Sequence, residues 1–354
     1  MGRDNTNYLM ENKLSNDTLN ARWLLICAAM VFLMATIGAV TRLTESGLSI
    51  AEWKPITGAL PPMNDTQWQA EFDIYQQSPQ YQQVNKGMSL SDYKHIYFWE
   101  WLHRLWGRLI GLVFAIPLAF LWLTRRIADG YKIKYLGVLA LGGLQGVVGW
   151  WMVASGLVHD PAVSHYRLAT HLALALTLAA TLYWMALTLL RRDGTLIMRP
   201  VNSTPCLRRH GRFALAFLCI TIIWGAFVAG LDAGLIYNTW PLMGGHFMPG
   251  EMWFLHPAFL NIFENHAAVQ FTHRWLAFTT FVLIVTFAWR AKSPVLATAV
   301  CLQLCLGILT LLSHVVVPLA ALHQAGAMIT LAALLYELHR VLLGAGPASL
   351  PRGR

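Results

Sequence analysis

Eight apolar segments of about 20 residues dominate this 354-residue sequence. A helix of that length crosses the roughly 30 Å hydrocarbon core of a membrane. Hydrophobic residues make up 56% of the chain and charged residues 12%, a composition too apolar for a soluble domain. The sequence therefore predicts an all-α integral membrane protein. Its predicted spans are residues 23–42, 98–123, 135–154, 167–190, 213–231, 269–289, 295–317 and 319–339.

Basic residues are unequally distributed between alternate connections of these spans. Eighteen of the 26 basic residues, with six acidic ones, lie on the side that carries both termini. Lys and Arg are retained on the cytoplasmic side, so both termini are predicted to be cytoplasmic. The net charge of +9 reflects this topology and does not indicate nucleic-acid binding. The first apolar segment is longer than a signal-peptide core and is expected to remain as the first span.

The chain repeats itself at an offset of 187 residues. Gly38-Ala39-Val40 matches Gly225-Ala226-Phe227, and Trp53 matches Trp240. We predict two tandem four-helix bundles related by a parallel pseudo-twofold repeat. The predicted parts are a cytoplasmic tail (1–21), a first half (22–190) with a long outer loop (43–96), a basic cytoplasmic linker (191–212), a second half (213–340) and a cytoplasmic tail (341–354).

Four histidines occupy matched positions near the outer ends of the second and fourth spans of each half. They are His103 and His171 in the first half, and His273 and His323 in the second. A lone histidine in a span is often a packing residue, but four at equivalent positions favour metal ligation. Neutral imidazole is a common axial ligand of haem iron, so facing histidines in a bundle predict one bis-histidine haem site per half. His314, at the end of the seventh span, is left unassigned.

The two halves differ in charge around these histidines. Arginines predicted to bind haem propionates lie at four boundary positions of the first half, whereas the second half keeps one. Glu100 precedes His103 by one helical turn, and Gln270 holds the equivalent position before His273. A carboxylate there can orient a ligand, accept a proton or position a water. The arginines are Arg42, Arg104, Arg108 and Arg167 in the first half and Arg274 in the second.

Two further patterns leave alternatives open. Gln145 and Gln303 match between the halves, and each suits either a hydrogen bond between helices or a ligand contact. The series Gly142, Gly146 and Gly149 is predicted to allow close helix packing. Of the five cysteines, four lie in predicted spans and one in a cytoplasmic loop, so no disulfide is expected.

Several motifs together resemble haem A synthases, in the form that lacks extracellular cysteine pairs. They are SGLSIAEWKPITGALPP, YFWEWLHRLWGRLIG, GWWMVASGLV with VSHYRLATHLALA, FVAGLDAGLIYNTWPLM, VQFTHR and LAALHQAGA, and the resemblance covers nearly all of residues 22–340. The resemblance implies a multi-pass enzyme of the bacterial inner membrane that oxidises a methyl group of haem O to the formyl group of haem A for a terminal oxidase. It implies a resident haem b at His273 and His323, and a substrate side with His103, His171 and catalytic Glu100.

The same resemblance suggests haem O synthase and terminal-oxidase assembly factors as partners, and leaves the electron acceptor open. Two other functions suit four ligand histidines. A di-haem carrier coupled to quinone would need two equal, permanently occupied sites. A haem chaperone would bind without turnover. Glu100 and the one-sided arginines favour an enzyme with one exchangeable haem.

The charge distribution makes a direct prediction about topology. Reporter fusions at the C-terminus and within residues 191–212 should be active only on the cytoplasmic side, because 18 basic residues oppose transfer of that side. Fusions within residues 43–96 should report the periplasmic side. A periplasmic C-terminus would contradict the predicted arrangement.

Overall fold

The computed structural model describes residues 2–54, 57–158 and 161–343, and this part of the chain is helical with irregular connections. Eight helices are long and apolar enough to cross a membrane, which confirms the eight predicted spans. Residues 344–354 of the predicted C-terminal tail lie outside the described residues. The α-helices are α1 (Gly2–Leu43), α2 (Asp65–Tyr75), α3 (Pro79–Gln83), α4 (Leu90–Leu123), α5 (Lys132–Val153), α6 (His165–Arg192), α7 (Pro205–Gly230), α8 (Asn261–Glu264), α9 (His266–Ala291), α10 (Pro294–Leu312) and α11 (Val317–Leu343).

Several helix ends differ from the predicted ones because local caps decide them. Helix α4 begins eight residues earlier than expected, where the Ser89 hydroxyl oxygen accepts a hydrogen bond from the Asp92 N–H at 3.1 Å. The preceding loop is therefore residues 44–89. Helix α10 ends at Leu312 because the chain turns through positive φ at His314 and Val315. Helix α7 begins at Pro205, behind the Thr204 cap, so only residues 193–204 of the predicted linker are irregular.

The packed part of the first span extends into the predicted N-terminal tail. Asp17 and Asn20 are buried, and Asp17 forms an ion pair with Arg192. The Asn20 amide donates to the Arg126 carbonyl at 2.9 Å and accepts from the Tyr135 hydroxyl at 2.9 Å. These contacts join α1 to sequence-distant segments, which explains why the local polarity of residues 16–21 suggested a tail.

The spans pack in the same order within each half of the chain. In the first half, α1 contacts α4 and α6, and α5 packs against α6; in the second, α7 contacts α9 and α11, and α10 packs against α11. The first span of each half also contacts the last span of the other, through α1 with α11 and α7 with α6. The second and fourth spans of a half make little direct contact. Each half therefore holds its ligand-bearing spans apart across a bundle.

The halves differ in how closely their second and third spans pack. Helices α9 and α10 pack together over much of their length, whereas α4 and α5 touch only sparsely. Helix α5 also exposes apolar side chains such as Leu144, Val147 and Trp150 along its length. The first half is therefore more open at its side than the second.

Two long loops lie at the same end of the helices. The first-half loop (residues 44–89) packs Phe72 and Tyr75 against Tyr93 and Tyr97 of α4 in an aromatic cluster. The second-half loop (residues 231–265) follows α7 and includes α8. The first-half loop therefore forms a small packed layer over the end of its bundle. We call the end of the helices that carries both loops the loop side.

The halves meet most tightly where Gly230 of α7 faces His165 of α6. A Cβ added at Gly230 would lie 2.6 Å from the His165 Cβ and 2.8 Å from its Cα. Neither of these atoms can move without moving a helix backbone. Gly142 on α5 offers a matched control, because a Cβ there meets no atom within 4 Å.

We expect Gly230→Ala to lower the thermal unfolding midpoint of the purified protein, since overpacking costs about 1–3 kcal/mol. Gly142→Ala should leave the midpoint equal or slightly higher, because alanine favours helix. Equal midpoints in both variants would show that the two halves separate readily at this contact.

Candidate functional site

Each of the four predicted ligand histidines rests its ring on a glycine of a neighbouring span. A Cβ at Gly149 or Gly307 would lie 2.9 Å from the Cε1 atom of the facing ring, closer than real Cβ atoms approach. The glycines therefore form cradles that any larger residue would fill. The pairs are His103 with Gly38 of α1, His171 with Gly149 of α5, His273 with Gly225 of α7, and His323 with Gly307 of α10.

The cradles give the repeated glycines a different role from the one predicted. Gly38 and Gly225 identified the repeat in the sequence, but their contact with histidine rings gave no sequence signal. The close-packing interpretation is wrong for Gly142 and Gly146, where an added Cβ would meet nothing within 4 Å. At Gly149 the close neighbour is the His171 ring. His314 lies in an exposed turn between α10 and α11.

Gln145 and Gln303 each form hydrogen bonds with the histidine on the fourth span of their half. The Gln145 amide nitrogen lies 3.1 Å from the His171 carbonyl and 3.3 Å from its ring nitrogen Nε2. The Gln303 amide nitrogen lies 3.0 Å from the His323 carbonyl and 3.1 Å from Nδ1. Both glutamines therefore make hydrogen bonds between helices, and the bonds are directed at the predicted ligands.

The histidines retain unused ring nitrogens. His171 Nδ1 and His273 Nδ1 are buried and have no hydrogen-bond partner. A buried polar atom without a partner costs free energy unless something else binds it. Within residues 2–54, 57–158 and 161–343, no group of three or more ligating side chains could hold a bare metal ion. Paired imidazoles over glycine cradles do fit an iron porphyrin, which brings four equatorial nitrogens of its own.

Glu100 is almost fully buried, with 3% of its surface exposed, and its carboxylate is held by three donors. Oε2 accepts from the Ser49 hydroxyl at 2.8 Å and from the Ile50 N–H at 2.7 Å. Oε1 accepts from Arg104 Nη2 at 2.6 Å. Glu100 therefore joins the first-half loop to α4, one helical turn from His103. Ser49 was missed in the sequence because the matching position of the second half is Ile236.

Arg104 and Arg274 each bind two main-chain carbonyls of the loop in their own half, an arrangement that we call the loop clasp. Arg104 donates to the carbonyls of Ile50 and Glu52 at 2.8 and 3.1 Å. Arg274 donates to the carbonyls of Tyr237 and Thr239 at 2.8 and 2.9 Å. Gln270, the counterpart of Glu100, donates to Tyr237 at 3.2 Å and accepts from Arg274 at 3.3 Å. An arginine thus anchors each loop, and only the first clasp contains a carboxylate.

The remaining predicted arginines also contact protein groups. Arg42 pairs with Asp232 at 2.8 Å and so connects the two halves. Arg108 donates to the Lys54 carbonyl at 2.9 Å, and Arg167 donates to the Trp151 carbonyl at 2.7 Å and covers its ring. A guanidinium has five N–H donors, so the contacts of Arg42 and Arg167 leave capacity for an anionic group. Propionate binding by the five arginines stays a prediction.

Ion pairs and hydrogen bonds stabilise the first-half loop, which lies outside the membrane-spanning helices. Lys54 lies 2.6 Å from Glu52 and 2.9 Å from Glu71, and hydrogen bonds to Glu52 and then Glu71 raise the pKa of its ammonium group. Burial raises the pKa of the Tyr75 hydroxyl, which accepts from Asn85 at 2.8 Å. Both groups therefore keep their protons, and the loop contacts persist over the neutral pH range.

The clasp predicts how firmly the first-half loop is held. Arg104→Leu removes two carbonyl contacts and an ion pair, so tryptic cleavage after Lys86 should accelerate about tenfold or more. Arg274→Leu is the matched control, because residues 231–265 contain no Lys or Arg. Cleavage at the wild-type rate in Arg104→Leu would show that the aromatic cluster alone holds the loop.

Comparison with known proteins agrees with this site. Residues 21–335 match the protein family described as cytochrome oxidase assembly protein. The chain is 52% identical over 330 residues to the heme A synthase of Rhodospirillum centenum, covering 90% of this chain and 87% of that protein. It is 47% identical over 339 residues to the heme A synthase of Parvibaculum lavamentivorans, covering 94% and 97%. A heme A synthase of Mesorhizobium japonicum is 46% identical over 332 residues, covering 91% and 90%.

The matched family region includes six of the eight spans in full, most of the first and last spans, the four histidine cradles and both loop clasps. The chain therefore belongs to the cytochrome oxidase assembly protein family that includes these heme A synthases.

Proposed function

We propose that this integral membrane protein is a haem A synthase, which oxidises the methyl group of haem O to the formyl group of haem A. The observation that carries the proposal is the four matched histidine cradles, of which only the first pair has a buried carboxylate beside it. Matched cradles suit two porphyrins of similar shape. The added carboxylate suits chemistry at one of them. The close similarity to heme A synthases supports the same activity.

The second half is the proposed site of a resident haem b. His273 and His323 would be its axial ligands, seated on Gly225 and Gly307. Arg274 has a buried Nε without a partner, which suits a propionate. A bis-histidine haem has no open coordination position, so when bound it supplies electron transfer. The tight packing of α9 and α10 favours a cofactor that stays in place.

The first half is the proposed site of haem O. His103 and His171 would hold it, and Arg42, Arg104, Arg108 and Arg167 supply positive charge at the loop side. The sparse contact between α4 and α5 offers a lateral opening toward lipid. Such an opening suits the long isoprenoid tail of haem O, which is more soluble in lipid than in water. The first-half loop covers the end of this bundle and would exclude water from it.

Glu100 is the proposed proton acceptor. Oxidation of a methyl group to a formyl group takes up an oxygen atom from water and releases electrons, which would pass to an electron acceptor, together with protons. A buried carboxylate near the reacting carbon can receive these protons in turn. Three donors hold the Glu100 carboxylate in one fixed direction. Oε1 receives one hydrogen bond and so retains a lone pair for a water or a substrate proton. Gln270 has no such capacity, which supports different roles for the two halves.

The proposed setting is the bacterial inner membrane, with both termini cytoplasmic and the loop side outside. The basic-residue distribution and the shared packing order of the spans support this topology and a parallel tandem repeat. All five cysteines are unpaired, which supports the form without extracellular cysteine pairs. The chemistry places the protein after a haem O synthase and before terminal-oxidase assembly. A di-haem carrier would also use four equal cradles, but Glu100 distinguishes the first pair.

Glu100→Gln tests the proton acceptor directly. The amide keeps the shape and still accepts one hydrogen bond, so we expect folding and haem binding to persist. Conversion of haem O to haem A should fall about 100-fold or more, the usual contribution of a general base. The double variant Glu100→Gln with Gln270→Glu controls for position and should remain as inactive. Conversion near the wild-type rate would remove Glu100 from the chemistry.

Replacing the histidine pairs separately tests whether the second half holds the resident haem b and the first half holds haem O. His273→Leu or His323→Leu should strip or severely perturb the haem b absorption spectrum. His103→Leu or His171→Leu should leave that spectrum nearly intact and abolish haem A production. Comparison within one membrane preparation controls for misfolding, which would remove both signals. Equal loss of identical haem from both pairs would instead support the di-haem carrier.

A further inference from the structure

An open groove lies between α7 and α9, at the end of the helices opposite the loop side. Its volume is about 390 Å³. Its polar and basic residues lie where α7 begins, and its aromatic residues lie further along the same helix. The residues that line it, which we call the α7–α9 groove, are Cys206, Arg209, His210, Phe213, Phe217, Thr279 and Leu283. None of these residues belongs to a histidine cradle or a loop clasp, so the groove has no part in the proposed reaction.

Arg290 of α9 is fixed beside this groove by His210 and Cys206. The His210 ring donates from Nε2 to the Leu283 carbonyl at 3.0 Å, because a carbonyl can only accept. Its Nδ1 therefore accepts from Arg290 Nη1 at 3.1 Å. Arg290 Nη2 lies 3.3 Å from Cys206 Sγ. Neither partner is a carboxylate, so the positive charge of the guanidinium is not paired.

The charge around the groove is positive throughout. Helices α7 and α9 contain no acidic residue, and neither Arg209 nor Arg290 forms an ion pair within the described parts of the chain. At the same end of the helices, by contrast, Arg192 pairs with Asp17. The basic residues at or next to this end of α7 and α9 are Arg208, Arg209, Arg212, Arg290 and Lys292. The forked donors of arginine suit a phosphate group.

The first half is built differently at the matched place. At the offsets that relate the cradles of the two halves, the matched pairs are Trp23 with His210 and Phe120 with Arg290. The Trp23 indole donates to the Val113 carbonyl at 2.9 Å, as His210 does to the matching carbonyl of Leu283. An indole N–H can only donate, so Trp23 offers no acceptor to an arginine. The second half therefore keeps the carbonyl contact and adds an acceptor and a cation, which the topology of the chain does not require.

We propose that the α7–α9 groove binds an anionic phospholipid of the surrounding membrane. Arg209 and Arg290 donate to its phosphate, and one acyl chain lies along Phe213 and Phe217. Phe213 is 55% exposed within a membrane span, so the groove faces lipid. A groove with apolar walls and a basic end matches both parts of such a molecule. In the proposed topology the lipid comes from the cytoplasmic leaflet.

Lipid retention by the purified protein tests this site. Native mass spectrometry would count bound phosphatidylglycerol and phosphatidylcholine of the same acyl chains, supplied at equal concentration. Wild type should retain phosphatidylglycerol about tenfold or more over phosphatidylcholine, and Arg290→Gln should weaken its retention about fivefold, the contribution of one basic residue at an anionic surface. Arg22→Gln is the matched control and should retain lipid as wild type does, because Arg22 is the exposed counterpart of Arg209 in the first half.

His210→Trp separates the groove from its charges. The variant keeps both arginines and a donor for the Leu283 carbonyl, but it fills space and removes the acceptor for Arg290, so retention should fall as in Arg290→Gln. Wild-type retention in either variant, or equal retention of the two lipids by wild type, would overturn the proposal. Displacement of the lipid by an equal concentration of inorganic phosphate would also overturn it, by showing an anion site that takes no acyl chain. If the tryptophan variant fails to fold, Arg290→Gln against Arg22→Gln still decides.

Discussion

The contact between an imidazole ring and a glycine without a Cβ is the constraint on which the rest of the structure depends. At Gly149 and Gly307 the histidine ring fits only because the glycine has no Cβ. An added Cβ would collide with the ring Cε1 atom at 2.9 Å. Each contact sets the distance between two spans and the height of a ligand along them. Because four such contacts recur, they fix two bundles with the same internal spacing. Burial alone could not do this, since lipid solvates apolar helices as well as neighbouring helices do.

The proposed catalytic function depends on differences between these two similar bundles. Both halves use an arginine to clasp a loop at two carbonyls, but only the first adds Glu100 with Ser49 behind it. Only the first half opens between its second and third spans. A stable site and an exchangeable one thus share a scaffold. The loop clasp of the first half links the chemistry to the closure of the site, because the Glu100 carboxylate proposed to accept protons also holds the first-half loop in place.

The sequence was sufficient for features that repeat or that follow from hydrophobicity. The eight spans followed from their length, and the histidine pairs followed from their matched positions. The cradles could not be predicted, because a glycine in a membrane helix looks alike whether it faces a ring, as Gly149 does, or lipid, as Gly142 does. Residues 16–21 looked like a tail because their partners, Arg126 and Arg192, lie more than a hundred residues away. Arg104 and Arg108 suggested ligand binding, and their contacts with Ile50, Glu52 and Lys54 depend on a fold of residues 44–89 that has no periodic pattern.

The most direct test of two unequal haem sites is the haem content of the purified wild-type protein. Extracted pigments should contain one haem b per chain, retained through purification, together with a smaller and variable amount of haem O or haem A. Supplying haem O with an electron acceptor should convert that second fraction to haem A and leave haem b unchanged. Two haem b molecules per chain, with no haem O or haem A at any stage, would contradict the account.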